Sequence, residues 1–542
     1  MASVMPRSAA AFALAVSLGA PPAFAQTSCP STVDPQAFPS AADLGSLVTK
    51  EMSVGQRVLA SPSHRKVIRW IEEEVRRIDD GFEVESDEYS LYTWLPRTRA
   101  KDAPGLDIAR AGGLRVRQDG STEDVAVAGA VHWSKPTSQK GTGGPLVYLG
   151  PDEPITAENA EGKVVIRDFP GGGLPYAGFP LLGLYVTPDL ASETGNYERP
   201  FIHDMHPELI AAGQAGAAGV IYAFDVPREQ VLGYYDPHVG TLYRVPAVFV
   251  GDAEAARLKA LAAENASARV IVRAKAKRVK TKNLIATLPG ESAERIVLAA
   301  NTDGNSWVQE NGVVALLALA RYYADLPAPC RRRTLVLLFA SAHDTLVSDG
   351  TNRFAERLDP EYDQGTVAFA FALEHFGTRE ILPMPDGDGS GRRLEVTGKG
   401  EPFLFAAGDG VALRQVAVEA TQRRSLDRTA VMPGLALPVA GQVPPICSMG
   451  GLGNAFHRRL IPTLAMISGP WSLYDPAFGS DALDFDRMHA QLLAAADALL
   501  ALDALPREQI AGDYPAMRQL RTEGAPTCPP ETYPQFAPGP GE

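Results

Sequence analysis

Three apolar runs near the middle of the chain dominate its hydrophobic pattern. Ile296–Ala300, Thr334–Ala340 and Val367–Leu373 are almost entirely apolar, and segments with helical periodicity separate them. Continuous apolar runs of this length are typical of strands that are buried on both faces of a parallel sheet. The alternation of strand and helix continues to about Leu505. We therefore predict an α/β protein, a three-layer α/β/α sandwich with a mixed, mostly parallel sheet.

Each of the three runs ends in a polar cluster. The clusters are NTDG at 301–304, SAHD at 341–344 and EHFG at 374–377. Open α/β sheets bind their ligands at the carboxyl ends of the strands. We therefore expect the functional site where these clusters meet.

The composition changes between Gly112 and Ala274, where short β-like runs are separated by many glycines and prolines. This change indicates a second, β-rich domain ahead of the α/β/α domain. The predicted segments are a signal peptide (1–25), a leader with the N-terminal part of the main domain (26–110), the β-rich domain (111–280), the α/β/α domain (281–508) and a Pro/Gly-rich C-terminal tail (509–542).

The first residues have the pattern of a secretory signal peptide. Arg7 precedes an apolar run, Ala9–Leu18, that is too short to span a bilayer, and an A-x-A cleavage site follows at 23–25. No later run is long and apolar enough to cross a membrane. We therefore predict export to the periplasm or the extracellular space, without a transmembrane segment.

The four cysteines, Cys29, Cys330, Cys447 and Cys528, all follow the predicted cleavage site. An even number of cysteines in an exported chain permits two disulfides. Cys29 with Cys528 and Cys330 with Cys447 is one of three possible connectivities, and the sequence does not choose among them. No pair has the C-x-x-C spacing of a structural zinc or redox site.

The net charge of the chain is −13. A nucleic-acid partner needs a clustered basic surface, so this charge argues against one. The charge leaves the oligomeric state open.

Four phrases of the sequence carry a resemblance to a known family. They are KNLIATLPG (282–290), GVVALLALARYY (312–323), RTLVLLFASAHDTLVSDGTNRF (333–354) and LIPTLAMIS (460–468). With these phrases the chain resembles the co-catalytic zinc aminopeptidase family that includes aminopeptidase Y and glutamate carboxypeptidase. The resemblance covers most of residues 47–500. It implies the α/β/α fold and zinc-dependent hydrolysis of peptide or amide bonds.

The β-rich segment resembles the protease-associated domain, which is inserted in several secreted peptidases. The resemblance implies a domain without catalytic residues that shapes substrate access. It rests on EGKVVIRD (161–168), AAGQAGAAGVIYA (211–223) and RVPAVFVGDAEAARL (244–258), in the expected order.

In the resembled family two zinc ions, bridged by an aspartate, activate the attacking water, and a glutamate acts as general base. The resemblance places Asn301 where the family has a histidine ligand, while Asp303 keeps the supporting aspartate. The bridging aspartate falls on Val308 without a gap, or on Glu310 if a loop residue or two is missing.

The remaining site positions also differ from the family. Ala342 stands at the general base, and an alanine cannot accept a proton. His343 stands at a glutamate ligand, and Glu374 stands at an aspartate ligand with His375 beside it. Tyr474 is the nearest match to the final histidine ligand. Therefore none of the family's metal-ligand positions carries the same residue type in this chain.

Our first hypothesis is an exported peptidase-fold protein whose usual two-zinc site is largely lost, acting as a binding or scaffold protein for a peptide or protein ligand. The transferrin receptor offers a parallel in the resembled family, because it lacks the zinc site. In this case Asp303 caps a loop, and His343 is a buried histidine whose hydrogen bonds are satisfied. Glu374 then pairs with an arginine or lysine side chain at the cleft rim.

The second hypothesis is a metal-dependent peptidase or amidohydrolase with a rebuilt, single-zinc site. Its general base is Asp303 or Asp344, and its ligand side chains must converge in space. A third hypothesis, a serine hydrolase, lacks the G-x-S-x-G nucleophile motif. The ligands of the rebuilt site are Glu310, His343 and either Glu374 or His375.

Overall fold

The computed structural model describes Met1 and residues 29–529, except 98–107, 170, 237–241, 344–348 and 388–390. Residues 2–25 of the predicted signal peptide therefore lie outside the described residues, and so does Asp344.

The strands form two large sheets and two small hairpin-like sheets. In chain order they are β1 (Glu83–Pro96), β2 (Gly112–Gln118), β3 (Ser121–Val125), β4 (Gly129–Ala130), β5 (Thr142–Tyr148), β6 (Val164–Asp168), β7 (Gly172–Pro175), β8 (Tyr185–Val186), β9 (Asn196–Arg199), β10 (Gly219–Ala223), β11 (Ala247–Val250), β12 (Ser267–Val272), β13 (Ala274–Leu288), β14 (Ser292–Asn301), β15 (Arg333–Ala340), β16 (Val367–Leu373), β17 (Arg379–Pro385), β18 (Arg392–Gly400), β19 (Phe403–Ala407), β20 (Thr429–Met432) and β21 (Thr463–Ser468).

The long helices belong mainly to the part of the chain that flanks the larger sheet. In chain order the α-helices are α1 (Ala41–Met52), α2 (Pro62–Ile78), α3 (Ile108–Ala111), α4 (Ala157–Ala160), α5 (Gly178–Leu182), α6 (Pro188–Ala191), α7 (His206–Gln214), α8 (Asp252–Ala263), α9 (Gly312–Asp325), α10 (Asp349–Asp363), α11 (Val411–Arg423), α12 (Gly453–His457), α13 (Phe485–Asp503), α14 (Arg507–Ala511) and α15 (Tyr514–Thr522).

The larger sheet has nine strands in the order β1-β13-β15-β14-β16-β21-β19-β20-β8. Its centre, β15-β14-β16-β21, is parallel, whereas β13 and β19 run antiparallel to their central neighbours. The three apolar runs of the sequence lie within β14, β15 and β16. The prediction of an α/β fold with a mixed sheet is therefore confirmed.

Helices cover both faces of the larger sheet. Because successive side chains of a strand point to opposite faces, Leu298 packs in the core with α9 and α13. Its neighbours Val297 and Ala299 pack with residues of α10 and α12 on the other face. This alternation produces the three layers of the sandwich.

The second sheet has eight strands in the order β3-β2-β12-β5-β6-β10-β11-β4, all from residues 112–272. A short segment of the same region leaves this sheet and reaches the larger one. Its strand β8 pairs antiparallel with β20, with Val186 opposite Ala430. The region therefore contributes an edge strand to the main domain.

The structure contains two disulfides, as the even cysteine count indicated. The pairs are Cys29–Cys330 and Cys447–Cys528. This is a different connectivity from the one the sequence analysis used as its example. The first bond ties the N-terminal segment to the start of β15, and the second ties the C-terminal segment to the loop before α12.

Part of the predicted C-terminal tail is helical. Residues 514–522 form α15, and Arg518 of this helix pairs with Asp363 of α10 at 2.6 Å.

The described part of the chain contains no helix long and apolar enough to cross a membrane.

Candidate metal centre

The strand order brings the three polar clusters together. β14 lies between β15 and β16, and all three strands run parallel. Their carboxyl ends therefore lie side by side, followed by NTDG, SAHD and EHFG. The candidate centre is built from the loops that leave these ends.

Close packing at the start of α9 positions Glu310. A Cβ on Gly312 would lie 1.9 Å from the carbonyl oxygen of Leu373, so only glycine permits this approach of α9 to β16. Asn311 then forms two hydrogen bonds with the backbone of Phe376, each 2.9 Å long: its amide donates to the carbonyl, and its side-chain oxygen accepts from the N–H. These contacts hold Glu310 beside the EHFG loop.

Glu310, His343 and Glu374 converge in the structure. One ligand atom from each lies within 4.8 Å of the others, and all three residues are buried. His343 Nδ1 is 3.3 Å from Glu310 Oε1. By contrast, Val308 is buried in the apolar core. Of these two alternatives from the sequence, Glu310 lies with His343 and Glu374, and Val308 does not.

Several polar atoms of this group have no hydrogen-bond partner among the described residues. They are both carboxylate oxygens of Glu310, Oε2 of Glu374 and Nε2 of His375. The other oxygen of Glu374 accepts a hydrogen bond of 2.7 Å from the N–H of Leu452. Buried polar atoms are normally paired, so this concentration of acceptors suits a divalent cation.

The electrostatics of the site support this interpretation. Burial raises the pKa of Glu310 well above its ordinary value, and the neighbouring Asp303 raises it further while Arg57 opposes the rise. Burial likewise raises the pKa of Glu374 to about 8. A divalent cation between these carboxylates would compensate their lost hydration. Carboxylate oxygen and imidazole nitrogen are zinc ligands, so the residues fit a zinc ion.

His375 lies next to the three converging residues, and its imidazole ring has a defined tautomer. Its Nδ1 is 2.8 Å from the carbonyl oxygen of Ser468, which can only accept, so Nδ1 carries the proton. Its Nε2 lies 3.9 Å from Glu310 Oε1. Burial lowers the pKa of His375, which keeps the ring neutral near pH 7. His375 thus directs a free lone pair into the site.

Strained backbone also marks this region. Glu310, Ala342 and His375 have φ angles of 71°, 74° and 56°, in the left-handed region that residues other than glycine rarely adopt. Such residues concentrate at functional sites, where the surrounding structure holds them in place. All three belong to the loops that form the candidate centre.

Asp303 lies behind the centre. Its Oδ1 accepts a hydrogen bond of 2.8 Å from the N–H of Ala342 and is 4.0 Å from His64 Nε2. Asn301 is buried beside it, and neither atom of its side-chain amide has a hydrogen-bond partner. Ala342 packs against Leu59 and other apolar side chains. Asp303 therefore supports the backbone of the SAHD loop.

Three polar residues that were not predicted as site residues form hydrogen bonds with the loops of the candidate centre. Gln309 Nε2 lies 3.1 Å from His343 Nδ1, and the carbonyl of Gln309 accepts a hydrogen bond of 2.7 Å from Arg57. His64 Nε2 is 2.8 Å from Thr302 Oγ1. Arg57 and His64 come from a segment more than 200 residues away in the chain, so no local motif could have linked them to the site.

A large cavity opens beside the candidate centre. Its volume is about 760 Å³, and His343, Glu374 and His375 line it together with Tyr474. We call it the site cavity. Much of its remaining wall is apolar and comes partly from β7, α5 and the turn at 200–202.

A buried ion pair and a buried hydrogen bond attach this wall segment to the main domain. Arg199, at the end of β9, lies 2.6 Å from Glu401, and both side chains are fully buried. Arg428 lies 2.5 Å from Glu380, which also accepts a hydrogen bond of 2.9 Å from the hydroxyl of Tyr176. These contacts define the shape of the site cavity.

No protein-family model matches the sequence, and neither does any curated protein. Solved structures do match the fold. An aminopeptidase from Aneurinibacillus sp. strain AM-1 has 17% identity and a TM-score of 0.51, covering 86% of this chain and 95% of that one. A zinc aminopeptidase from Bacillus subtilis has 16% identity and a TM-score of 0.53, with coverages of 86% and 94%.

A peptidase M28 precursor from Shewanella amazonensis SB2B has 14% identity and a TM-score of 0.57, again covering 86% of this chain and 94% of that one. These likenesses extend over nearly the whole length of each neighbour. The chain therefore has the fold of the zinc aminopeptidases, and the resemblance recognised in the sequence is confirmed at the level of the fold.

Proposed function

We propose that this protein is an exported hydrolase of peptide or other amide bonds that uses one divalent metal ion, preferably zinc. In this proposal the two-zinc site of the resembled family is largely lost, so the protein is not a conventional aminopeptidase. The observation that carries the proposal is the convergence of Glu310, His343 and Glu374 around unpaired carboxylate oxygens. The zinc aminopeptidase from Bacillus subtilis, which shares the fold, supports zinc as the metal.

The three converging residues would hold the ion. A zinc ion there supplies Lewis-acid chemistry for the carbonyl of the scissile amide. The buried, largely apolar surroundings strengthen the electrostatic interactions of a bound substrate.

His375 is the described group best placed to move a proton. It lines the site cavity, and Nε2 has an unpaired lone pair, while Ser468 fixes the opposite ring nitrogen. We assign Nε2 to accept a proton from the attacking water and to return it to the leaving amine. Asp303, one of the predicted bases, is occupied by the N–H of Ala342 and takes a supporting role.

A second candidate function is binding of a peptide or protein ligand without turnover. Ala342, at the position of the resembled family's general base, favours it because its methyl group cannot accept a proton. The same residue is fully buried and packs among apolar side chains.

Metal content and turnover separate the two functions. Purified mature protein should contain one zinc per chain, and zinc added to chelator-treated protein should bind stoichiometrically in calorimetry. Glu374→Gln should weaken this binding at least tenfold, and exposed Glu158→Gln serves as the matched control. Absence of zinc binding at the wild-type site contradicts the metal-dependent hydrolase.

The role of His375 has its own test. His375→Asn is chosen because asparagine tolerates a positive φ. It should leave zinc affinity within about threefold but lower hydrolysis of acylated peptides and amides about 10²–10⁴-fold. Zinc binding without turnover of any such substrate by the wild-type protein would support the binding function.

Export is part of the proposal. It is supported by the sequence of residues 1–25 and by two disulfides, which persist mainly in oxidising compartments. Fractionation of cells, followed by N-terminal sequencing of the mature protein, should find a chain that begins after Ala25.

A further inference from the structure

The site cavity is much larger and more apolar than cleavage of a single small residue requires. Its volume of about 760 Å³ lies within the range of about 300–1,000 Å³ that takes a drug-sized ligand. One end carries His343, Glu374 and His375, and apolar side chains such as Phe179, Leu404 and Ile467 belong to the rest of the lining.

The charges in the cavity disfavour a free amino terminus. Among the described residues that line the cavity, Glu374 is the only carboxylate, and it belongs to the proposed metal ligands. An ammonium group that loses its water needs acceptors in return, and this carboxylate is already assigned to the metal.

We infer that the substrate is an N-acyl amide with a long apolar acyl chain, and that the chain occupies the site cavity. This inference rests on the proposed function. The amide carbonyl then lies at the metal end, and the apolar wall replaces the water around the acyl chain. Addition of water breaks the bond between the carbonyl carbon and nitrogen, releasing a carboxylic acid and an amine.

Leucines at the rim support an acyl chain as the occupant. Leu174, Leu182 and Leu435 line the cavity. Leu174 and Leu435 are also 55% and 37% exposed, so they form the rim, whereas Leu181 and Leu437 stand outside the lining. An exposed apolar rim that continues into an apolar cavity suits a ligand whose chain enters from water.

Calorimetry with acetylglycine, hexanoylglycine and dodecanoylglycine tests the inference on metal-free and zinc-loaded protein. Each added methylene that is buried should tighten binding about fourfold until the cavity is full. Leucine amide, which has a free amino group, should bind more weakly than hexanoylglycine. Affinity that does not depend on chain length, or tighter binding of leucine amide, would overturn the inference.

Two matched pairs of variants locate the chain. Phe179→Asp should weaken dodecanoylglycine binding at least tenfold, whereas Leu181→Asp on the same helix should leave it unchanged. Likewise, Leu435→Asp should weaken dodecanoylglycine binding and Leu437→Asp should leave it unchanged. The second pair keeps the test valid if one variant of the first pair misfolds. Equal effects within both pairs would overturn the inference.

The readouts separate this inference from the proposed function. Chain-length-dependent binding without hydrolysis of dodecanoylglycine supports an acyl-binding cavity and contradicts the hydrolase. Hydrolysis of leucine amide in preference to dodecanoylglycine supports a hydrolase and overturns the acyl substrate.

Discussion

Nδ1 of His343 lies 3.3 Å from Oε1 of Glu310, although the two residues follow different strands of the central sheet. Together with Glu374 they form a buried group of the kind that could bind a divalent metal. The parallel strands therefore bring these side chains together at one edge of the sheet.

Glu310→Gln should stabilise the metal-free protein. Both oxygens of Glu310 are buried and have no hydrogen-bond partner in the part of the chain that the structure describes, so the neutral amide removes the cost of a buried, uncompensated acid. We expect a gain of about 1–3 kcal/mol in the free energy of unfolding, measured with urea. The variant should also lose the stabilisation that zinc confers on the wild type.

Glu380→Gln is the matched control for this change. Glu380 is also buried, but Arg428 and Tyr176 satisfy it. This variant should be less stable than the wild type. A Glu310→Gln protein that is destabilised to the same extent would contradict the metal centre.

Ala342→Glu should not create a conventional two-zinc peptidase. Ala342 is fully buried and packs against Leu59 and Tyr89, so a carboxylate there would be buried without a partner. We expect a loss of about 3–5 kcal/mol of stability and no gain in turnover. A tenfold rise in hydrolysis of aminoacyl substrates would show that position 342 still serves as the base position.

Stability should rise with pH between about 4 and 6.5 because of His457. Burial lowers the pKa of this histidine from 6.5 to about 4. The unfolded chain therefore binds more protons than the folded protein in this interval, and the free energy of unfolding increases with pH. The contribution is about 3 kcal/mol over the interval.

Urea unfolding at several pH values measures this contribution. In His457→Gln the rise should be smaller by that amount, although the variant also loses the hydrogen bond between Nδ1 and Tyr514. An unchanged slope in the variant would assign the pH dependence to other groups.

The two disulfides should contribute unequally to stability. Cys29–Cys330 closes 301 residues of chain and Cys447–Cys528 closes 81. In the chain-entropy description the shorter loop contributes about 4.5 kcal/mol, and the longer loop about 1 kcal/mol more. Replacing both cysteines of each pair by serine and measuring urea unfolding tests this order. Peptide mapping without reduction checks the pairing, and a Cys29–Cys528 peptide would contradict it.

The central strands were predictable because burial on both faces leaves a direct mark in sequence. β14, β15 and β16 are continuous apolar runs, and their polar ends mark the edge that holds the site. Strand order was not predictable from these runs, because which strands pair depends on contacts between distant segments. β8 shows this, since a segment of the β-rich region forms the edge of the main sheet.

The candidate site was predictable only as a set of residue types. Alignment with the resembled family left Val308 and Glu310 as alternatives for one position. The packing of Gly312 against Leu373 fixes where α9 begins and holds Glu310 beside His343 and Glu374, whereas Val308 lies in the apolar core. Arg57 and His64 reach the site through tertiary contacts and have no local signal.

Hydrophobic periodicity and local residue chemistry were enough to predict the α/β class and to select candidate ligands at the carboxyl ends of the strands. The convergence of Glu310, His343 and Glu374, the cysteine pairing and the apolar wall of the site cavity became known from the folded structure. Each of these depends on distances between residues far apart in the chain, and those distances are set by packing of the whole fold.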